Sequence, residues 1–235
     1  MKQPVTAEPS IRLSSVAPLR RTPSAPTSES TQLPARLSKP RPIPLTDTPK
    51  RLLGLDIENG TRWGWGPHGY THSIIYCVTT KLVGSADDDV RTFWIDWRQP
   101  DQTIRAHLAP MFQEIAGADC FLGHNFSHDF KGISGLARDL QLSFPEKKPV
   151  IDTYKDLVPH DGASKSLEDL CLQLGLGDKP HLPQRDWVDA FIRAKPDAIQ
   201  KVIDRNRADV ILTERLYEKE RELGWLKTST YRKAA

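Results

Sequence analysis

The sequence predicts an α/β protein built on a mixed β-sheet with helices packed against it. Three apolar segments with the period of a strand lie within residues 51–97, and no helical segment separates them, as in an antiparallel meander. From about residue 104 onward, amphipathic helical segments alternate with short apolar strands. Such a change of pattern is typical of a sheet whose first strands are antiparallel and whose later strands are parallel.

The predicted elements follow from these periodicities. We predict strands at 51–57, 73–80, 92–97, 119–123 and 150–152, and helices near 104–115, 127–140, 167–174, 186–194 and 196–223. Ser127 and Ser166 are predicted to cap the second and third helices. Pro196 suits the first turn of the last helix. A loop rich in Gly and Trp at 59–66 is predicted to separate the first two strands.

Composition divides the chain into three parts. Residues 1–48 are expected to be a disordered basic tail, since they are rich in Pro, Ser and Thr and contain no aromatic residue. Residues 1–50 carry a net charge of +5 against +3 for the whole chain, which leaves −2 for the rest. This balance excludes a broadly basic surface but allows a local nucleic-acid groove. The folded domain is expected at 49–226, with a short flexible C-terminus at 227–235.

The cysteines and the hydropathy pattern indicate the cellular compartment of the protein. Three widely spaced cysteines in apolar runs indicate buried, reduced thiols rather than a zinc site or a disulfide framework. No run of about 18 apolar residues exists, so we expect no membrane contact. Reduced thiols favour a cytoplasmic location.

Asp56 and Glu58 stand one residue apart in the first predicted strand, where they alternate with Leu53, Leu55 and Ile57. Residues i and i+2 of a strand point to the same face, so the two carboxylates are expected side by side at the end of the strand. Adjacent carboxylates beside an apolar core repel each other unless a cation neutralises them. Oxygen ligands of this kind suit Mg²⁺ or Mn²⁺. The alternative is a strand that continues into a solvated acidic turn.

Two further aspartates lie on predicted helices. Asp129 follows the fourth strand and falls in the first turn of the second helix, where it can also serve only as a partner of the helix dipole. Asp209 lies inside the last helix and shares a face with Asn206 and Thr213, although an aspartate there can also simply face solvent. Each position alone is a weak signal.

Together the acidic positions follow a known order. Asp-x-Glu on the first strand, Asn-x3-Asp after the fourth strand and Asp in the last helix resemble the DEDD (DnaQ-like) 3′–5′ exonuclease family, which has a ribonuclease H-like fold. The resemblance covers about residues 50–225. The segment from Leu216 to Leu226 is loosely similar to exonuclease-like proteins of actinobacterial phages, which implies the host cytoplasm as the location.

The resemblance implies an enzyme that hydrolyses phosphodiester bonds of mostly single-stranded DNA from the 3′ end, with two Mg²⁺ or Mn²⁺ ions. It assigns one ion to Asp56, Glu58 and Asp209, and the other chiefly to Asp56 and Asp129. RNA is the alternative substrate. A place in replication or repair machinery is a further implication of the resemblance.

The sequence departs from the family at the residue that activates water. The family has Tyr four residues, or His five residues, before the last aspartate, whereas this chain has Arg205 and Asp204. Arg stays protonated at neutral pH, so Arg205 is expected to stabilise phosphate charge instead of acting as a base. His128, at a position where the family has Phe or Tyr, and His124 are alternative bases, or else ordinary structural histidines.

Five residues are candidates for nucleic-acid contacts. Trp63 and Trp65 follow the first acidic motif in the Gly-rich loop, where they can stack on a base or cover the core. Lys179 and His181 belong to a basic and aromatic patch before the last two helices. Asn125 belongs to the second acidic motif.

Two other functions are compatible with the sequence. A nucleic-acid-binding module that keeps the fold but lacks efficient turnover fits Arg205 and Asp204 at the water-activating positions. An endonuclease of the same fold is the second alternative, and it would cleave a circular strand, which an exonuclease cannot.

Overall fold

A computed structural model describes residues 51–62, 72–143, 148–156 and 166–226. The predicted tail at 1–48, the C-terminus at 227–235, Trp63 and Trp65 lie outside these residues, so their roles stay predictions. The elements, in chain order, are β1 (Leu52–Arg62), β2 (His72–Leu82), β3 (Arg91–Trp94), α1 (Asp101–Gly117), β4 (Cys120–Gly123), α2 (Ser127–Asp139), β5 (Val150–Asp152), α3 (Leu167–Gln173), α4 (Gln184–Phe191) and α5 (Pro196–Leu223).

The strands form one mixed sheet in the order β3-β2-β1-β4-β5. β1 pairs antiparallel with β2, and β2 pairs antiparallel with β3. β1 and β4 are parallel, as are β4 and β5. The predicted α/β class, with a three-strand meander followed by parallel strands and flanking helices, is therefore confirmed.

β1 is longer than predicted, and this changes the position of the acidic pair. The strand continues to Arg62, paired with His72 of β2, so Asp56 and Glu58 lie inside the strand and not at its end. The predicted start of the loop at residue 59 is wrong for the same reason, because residues 59–62 belong to β1. The pairing with β2 satisfies the backbone of 59–62, and a change of register between Glu58 and Asn59 accommodates it.

Alternation along β1 separates the core from the acidic side chains. Leu53, Leu55 and Ile57 are buried in a hydrophobic cluster with side chains of α1 and α2. Leu52, on the opposite face, packs in another cluster with Tyr217 of α5. Asp56 and Glu58 share the parity of Leu52, so they lie on the sheet face that α5 covers. Asp56 and Glu58 therefore face α5, and the apolar residues that alternate with them along β1 face α1 and α2.

Helix boundaries agree with the sequence where local signals are strong. α5 begins at Pro196, as predicted, and ends at Gly224 with a φ of 68°. The Ser166 hydroxyl accepts a hydrogen bond from the Asp169 backbone N–H at the start of α3. The cap predicted at Ser127 is wrong, because Ser127 is the first residue of α2 and makes no capping hydrogen bond. Within the described part of the chain, no helix is both long and apolar enough to cross a bilayer.

Candidate metal centre

The acidic pair lies where β1 leaves its parallel neighbour. β1 pairs with β4 only from Leu52 to Gly54, while its pairing with β2 continues past both carboxylates. The edge of β1 beyond Gly54 therefore faces a space that other elements can enter. Ligand sites of α/β sheets lie at such places, beyond the carboxyl ends of parallel strands.

α5 brings Asp209 to the acidic pair. A Cβ atom built on Gly54 would lie 3.4 Å from Val210 Cγ1, so the helix passes directly over β1 at its glycine. This close approach places the carboxylate of Asp209 beside those of Asp56 and Glu58. One oxygen from each of the three carboxylates lies within 4.8 Å of the others. That spacing suits a single cation held by oxygen ligands.

α2 brings Asp129 to the same cleft. The backbone N–H of Ile57 donates a hydrogen bond of 3.4 Å to Asp129 Oδ1, which ties the first turn of α2 to β1. Asp152 at the end of β5 fixes the start of α2, since its carboxylate accepts from the backbone N–H groups of Asn125 at 2.8 Å and Phe126 at 3.1 Å. Asp152 therefore stabilises the start of α2, which is the role predicted for Ser127.

The four carboxylates line one cleft of about 290 Å³. Burial raises the pKa of Asp56 well above its usual value, and the charges of Asp129, Asp209 and Glu58 add to this effect. Burial, followed by the charge of Asp209, raises the pKa of Glu58 to about 7. Burial also raises the pKa of Asp129 to about 7 and raises that of Asp209. Carboxylates crowded in this way need positive charge to ionise together.

Two cationic side chains face these carboxylates. Lys179 Nζ lies 3.1 Å from Asp209 Oδ1. The charge of Lys179 and its contact with Asp209 lower the pKa of that carboxyl and so oppose the effect of burial. Arg205 Nε lies 3.8 Å from Glu58 Oε1. The Asn206 amide donates a hydrogen bond of 2.5 Å to Asp56 Oδ2.

The two histidines predicted as alternative bases both line the cleft. Asn59 Nδ2 lies 2.9 Å from His128 Nε2, and a donor there occupies the lone pair of the exposed His128 ring. His124 Nδ1 lies 2.8 Å from Thr153 Oγ1, whose hydroxyl proton is donated to the Gly123 carbonyl at 3.3 Å.

The structure separates the other predicted contact residues. Asn125 and Lys179 line the cleft, whereas His181 is exposed and does not line it. Sequence reasoning missed Asn59, which completes the cleft wall, and the direct contact of Asn206 with Asp56. The spacing of Asn206 three residues before Asp209 on one helix face was the available signal for the second.

An aromatic cavity of about 570 Å³ adjoins the cleft and shares Glu58 and Asn59 with it. Tyr76 stacks on Phe191 with ring centroids 4.1 Å apart, and Trp187 packs against Phe191 at 5.4 Å. Sequence reasoning missed this cavity because its aromatic residues come from β2 and α4, which are about 110 residues apart.

Fold and site together define an α/β protein of ribonuclease H-like fold with an acidic cleft beside the central strand. Among solved structures, the chain is similar to the family B DNA polymerase of the hyperthermophilic archaeon Pyrobaculum calidifontis, with a TM-score of 0.51 and 16% identity over 72% of this chain. It is also similar to the catalytic unit of Neurospora crassa Pan2, which comprises a protease and a nuclease domain, with a TM-score of 0.44 and 16% identity over 80% of this chain.

The similarity to these two structures is limited in length and in sequence identity. The chain covers 24% of the polymerase and 30% of the Pan2 unit, so it spans less than a third of the length of either. At 16% identity, the similarity to the polymerase shows the fold alone. No protein-family model matches the chain, and no curated protein is significantly similar to it.

Proposed function

We propose that the protein is a metal-dependent nuclease, and specifically a 3′–5′ exonuclease that hydrolyses phosphodiester bonds of mostly single-stranded DNA. The observation that carries this proposal is the convergence of Asp56, Glu58 and Asp209, whose carboxylate oxygens lie within 4.8 Å of one another in the cleft that Asp129 also lines. The order of these acids along the chain, which resembles that of DEDD exonucleases, supports the 3′–5′ direction. We place the reaction in the cytoplasm, in replication or repair of DNA.

The residues present fit divalent cations. The donor set is entirely carboxylate oxygen, which Mg²⁺ and Mn²⁺ prefer, and Asp56, Glu58 and Asp209 are close enough together to share one ion. Asp56, Glu58 and Asp209 would hold one ion, and Asp56 and Asp129 the other. When bound, the two ions neutralise the phosphate, lower the pKa of water and stabilise the leaving oxygen.

The cleft residues divide the remaining tasks. Lys179 and Arg205 add positive charge where an anionic phosphodiester would lie. His124 and His128 both line the cleft and are the candidates to accept the proton of the attacking water. His128 also contacts Asn59, and Asn125 is positioned to contact the strand.

The direct test is the degradation of end-labelled single-stranded DNA by the full chain in Mg²⁺ or Mn²⁺. We expect a ladder of products shortened from the 3′ end, and no products from Asp129→Ala. Asp139→Ala is the matched control, since Asp139 is an exposed aspartate on the same helix and should leave the rate unchanged. Robust shortening by Asp129→Ala contradicts the assignment of the site. Cleavage of a circular strand identifies an endonuclease, and a preference for a matched RNA identifies the other substrate.

A second candidate function is a binding module without efficient turnover. The observation in its favour is that Arg205, at the position where the family has a water-activating tyrosine, donates its hydrogen bond to a backbone carbonyl. Tight binding of single-stranded DNA without any product in Mn²⁺ would establish this function in place of the first.

A further inference from the structure

Cationic side chains line the contact between α4 and the first turns of α5, outside the cleft. They are about half exposed or more, and each pairs with one of two largely buried aspartates of α4. This α4–α5 basic surface consists of Arg185, Arg193, Lys195 and Lys201. Residues 184–207 contain six Lys or Arg and four Asp, a net charge of +2, whereas residues 51–235 together carry −2. The surface is therefore a local concentration of positive charge on a slightly acidic domain.

Asp189 holds three of these cations in place. Its side chain is 8% exposed, and its carboxylate accepts hydrogen bonds from Arg193 Nη1 at 2.6 Å and from Lys195 Nζ at 2.9 Å. Arg185 Nε lies 3.8 Å from the same carboxylate. Between Arg193 and Lys195, Ala194 has a φ of 51°, and this left-handed turn brings both side chains to Asp189. One carboxylate cannot neutralise three cations, so the surface keeps a surplus of positive charge.

Arg205 connects the α4–α5 basic surface to the cleft. Lys201 pairs with Asp186 of α4 at 3.0 Å. One turn further along α5, the guanidinium of Arg205 lies over the Trp187 ring of α4, 5.9 Å from its centroid, and Arg205 also lines the cleft. At a rise of about 1.5 Å per residue, Lys201 lies about 6 Å and Lys195 about 15 Å from Arg205 along the helix axis. The cations thus form a row that begins at the cleft and ends at the start of α5.

We propose that the α4–α5 basic surface binds the phosphates of the nucleic-acid strand on the 5′ side of the scissile bond. This inference rests on the proposed function. A row of cations that begins at the cleft complements a linear polyanion. A stacked strand has one phosphate for about every 3.4 Å of its length, so the 15 Å between Arg205 and Lys195 correspond to about four phosphates.

The ion pairs with α4 suit such a surface. Asp186 and Asp189 hold the long side chains of Lys201 and Lys195 near the helix contact before a strand arrives, so less side-chain freedom is lost on binding. Contacts with phosphates carry no sequence information, so the surface adds affinity for any sequence. It also makes binding depend on strand length and on salt concentration.

The test compares Lys195→Gln, Lys201→Gln and the double variant with wild type, each as the full chain. Both lysines are about half exposed, and changes at such positions have little effect on stability. Affinity for a ten-nucleotide oligothymidylate is measured by fluorescence anisotropy in Ca²⁺ at several salt concentrations. We expect each single variant to weaken binding about threefold and the double variant about tenfold. Each substitution should reduce the slope of log K against log salt by about 0.7.

Lys219→Gln is the matched control. Lys219 also lies on α5 and pairs with a carboxylate, that of Glu222 at 2.8 Å, but it is about 27 Å further along the helix than Lys201. The control removes the same charge and should keep wild-type affinity and salt dependence.

Strand length separates contact with the upstream strand from an effect on the cleft. A dinucleotide has only the scissile phosphate, which lies in the cleft. The double variant should therefore lose about tenfold in kcat/KM on the ten-nucleotide strand in Mn²⁺, and much less on a dinucleotide.

Two results would overturn the inference. Wild-type affinity and salt dependence in the double variant would exclude the contact. Equal losses on the dinucleotide and on the ten-nucleotide strand would show that the lysines act on the cleft and not on the upstream strand. Wild-type protein that binds the strand without cleaving it would refute the proposed function instead, and the affinity comparison would still decide the role of the surface. Wild-type protein that neither binds nor cleaves the strand would refute both.

Discussion

Asn206 of α5 donates a 2.5 Å hydrogen bond from its side-chain amide to Asp56 Oδ2 on β1. The Cys77 thiol completes the arrangement by donating to Asn206 Oδ1 at 3.4 Å, and burial raises the pKa of that thiol, so it stays protonated. A neutral residue on the last helix thereby sets the orientation of the central carboxylate of the cleft.

Replacement of this amide should cost both stability and metal affinity. Asn206→Leu leaves a half-buried carboxylate oxygen and a buried thiol without their partner, and we expect the free energy of unfolding to fall by about 1–3 kcal/mol. Mn²⁺ should bind more weakly because Asp56 is no longer oriented. Denaturant titration and calorimetry measure the two effects. Gln200→Leu, an exposed amide change on the same helix, should alter stability by less than about 0.5 kcal/mol.

Removal of one cleft carboxylate should stabilise the metal-free protein. Burial and the neighbouring acids raise the pKa of Asp56, so its ionisation lowers the stability of the folded state as pH rises above the unfolded value. Asp56→Asn should therefore melt at a higher temperature than wild type at pH 8 without metal, and the difference should shrink towards pH 4.

Bound metal ions should make wild type more stable than Asp56→Asn, the reverse of the order expected without metal. Wild type should gain about 2.7 kcal/mol at a Mn²⁺ concentration 100 times the Kd, whereas Asp56→Asn should gain much less. Thermal melts with and without Mn²⁺ at pH 8 provide the comparison. An equal gain in both proteins would show that Asp56 is not a ligand.

Glu220 should make stability fall as the pH rises. Glu220 is fully buried on α5, and neither carboxylate oxygen has a hydrogen-bond partner among the described residues. Burial, with smaller contributions from Asp156 and Asp152, raises its pKa to about 8. Between its unfolded pKa and about 8 the folded state retains a proton that the unfolded state has lost, so this group lowers stability by up to about 1.4 kcal/mol per pH unit.

Glu220→Gln removes that dependence. We expect the variant and wild type to be similarly stable near pH 4.5, and the variant to be more stable at pH 8. Urea titrations at both pH values measure the effect. A wild-type protein whose stability relative to Glu220→Gln does not change between these pH values would contradict the assignment.

Two glycines of α2 should respond in opposite directions to alanine. A Cβ atom on Gly132 would lie 2.4 Å from Ile57 Cδ1, where α2 packs on β1 next to the cleft. Gly132→Ala should therefore destabilise the fold by about 1–3 kcal/mol through overpacking. A Cβ atom on Gly135 would meet nothing closer than Arg138 Nη2 at 3.9 Å, so Gly135→Ala should stabilise the helix by about 0.5–1 kcal/mol. Circular-dichroism melts of the two variants provide the measurement.

The sequence predicted the parts of this structure that depend on local signals. Pro196 and Ser166 mark the starts of helices through local signals that act within a few residues, and the structure has helix starts at these places. Alternation along β1 predicted which face carries Asp56 and Glu58. Pairing extends β1 four residues past the acidic pair, and the sequence did not show this because the partner strand supplies the hydrogen bonds.

Contacts across the fold lay beyond sequence reasoning. Lys179 was recognised as a basic residue before the last helices, but its ion pair with Asp209 spans 30 residues without any periodic relation. Arg205 was recognised as a departure from a family pattern, whereas its bond to Pro180 depends on how the α3–α4 segment folds back over α5. The sequence indicated that Asp152 lies at the end of a strand or supports the site from behind, but its hydrogen bonds to the start of α2 could not be predicted.

The close passage of α5 over Gly54 has a mechanical consequence. Val210 Cγ1 and the Lys81 carbonyl would each lie 3.4 Å from a Cβ atom at this glycine, so apolar contact fixes the height of the helix above the sheet. That height in turn sets the separation of Asp209 from the acids of β1, against the repulsion among their charges. The spacing of the carboxylates in the candidate metal site is therefore a property of core packing. We expect substitutions at buried apolar positions such as Val210 to change ion affinity, and the choice between ions of different radius, without any change of ligand.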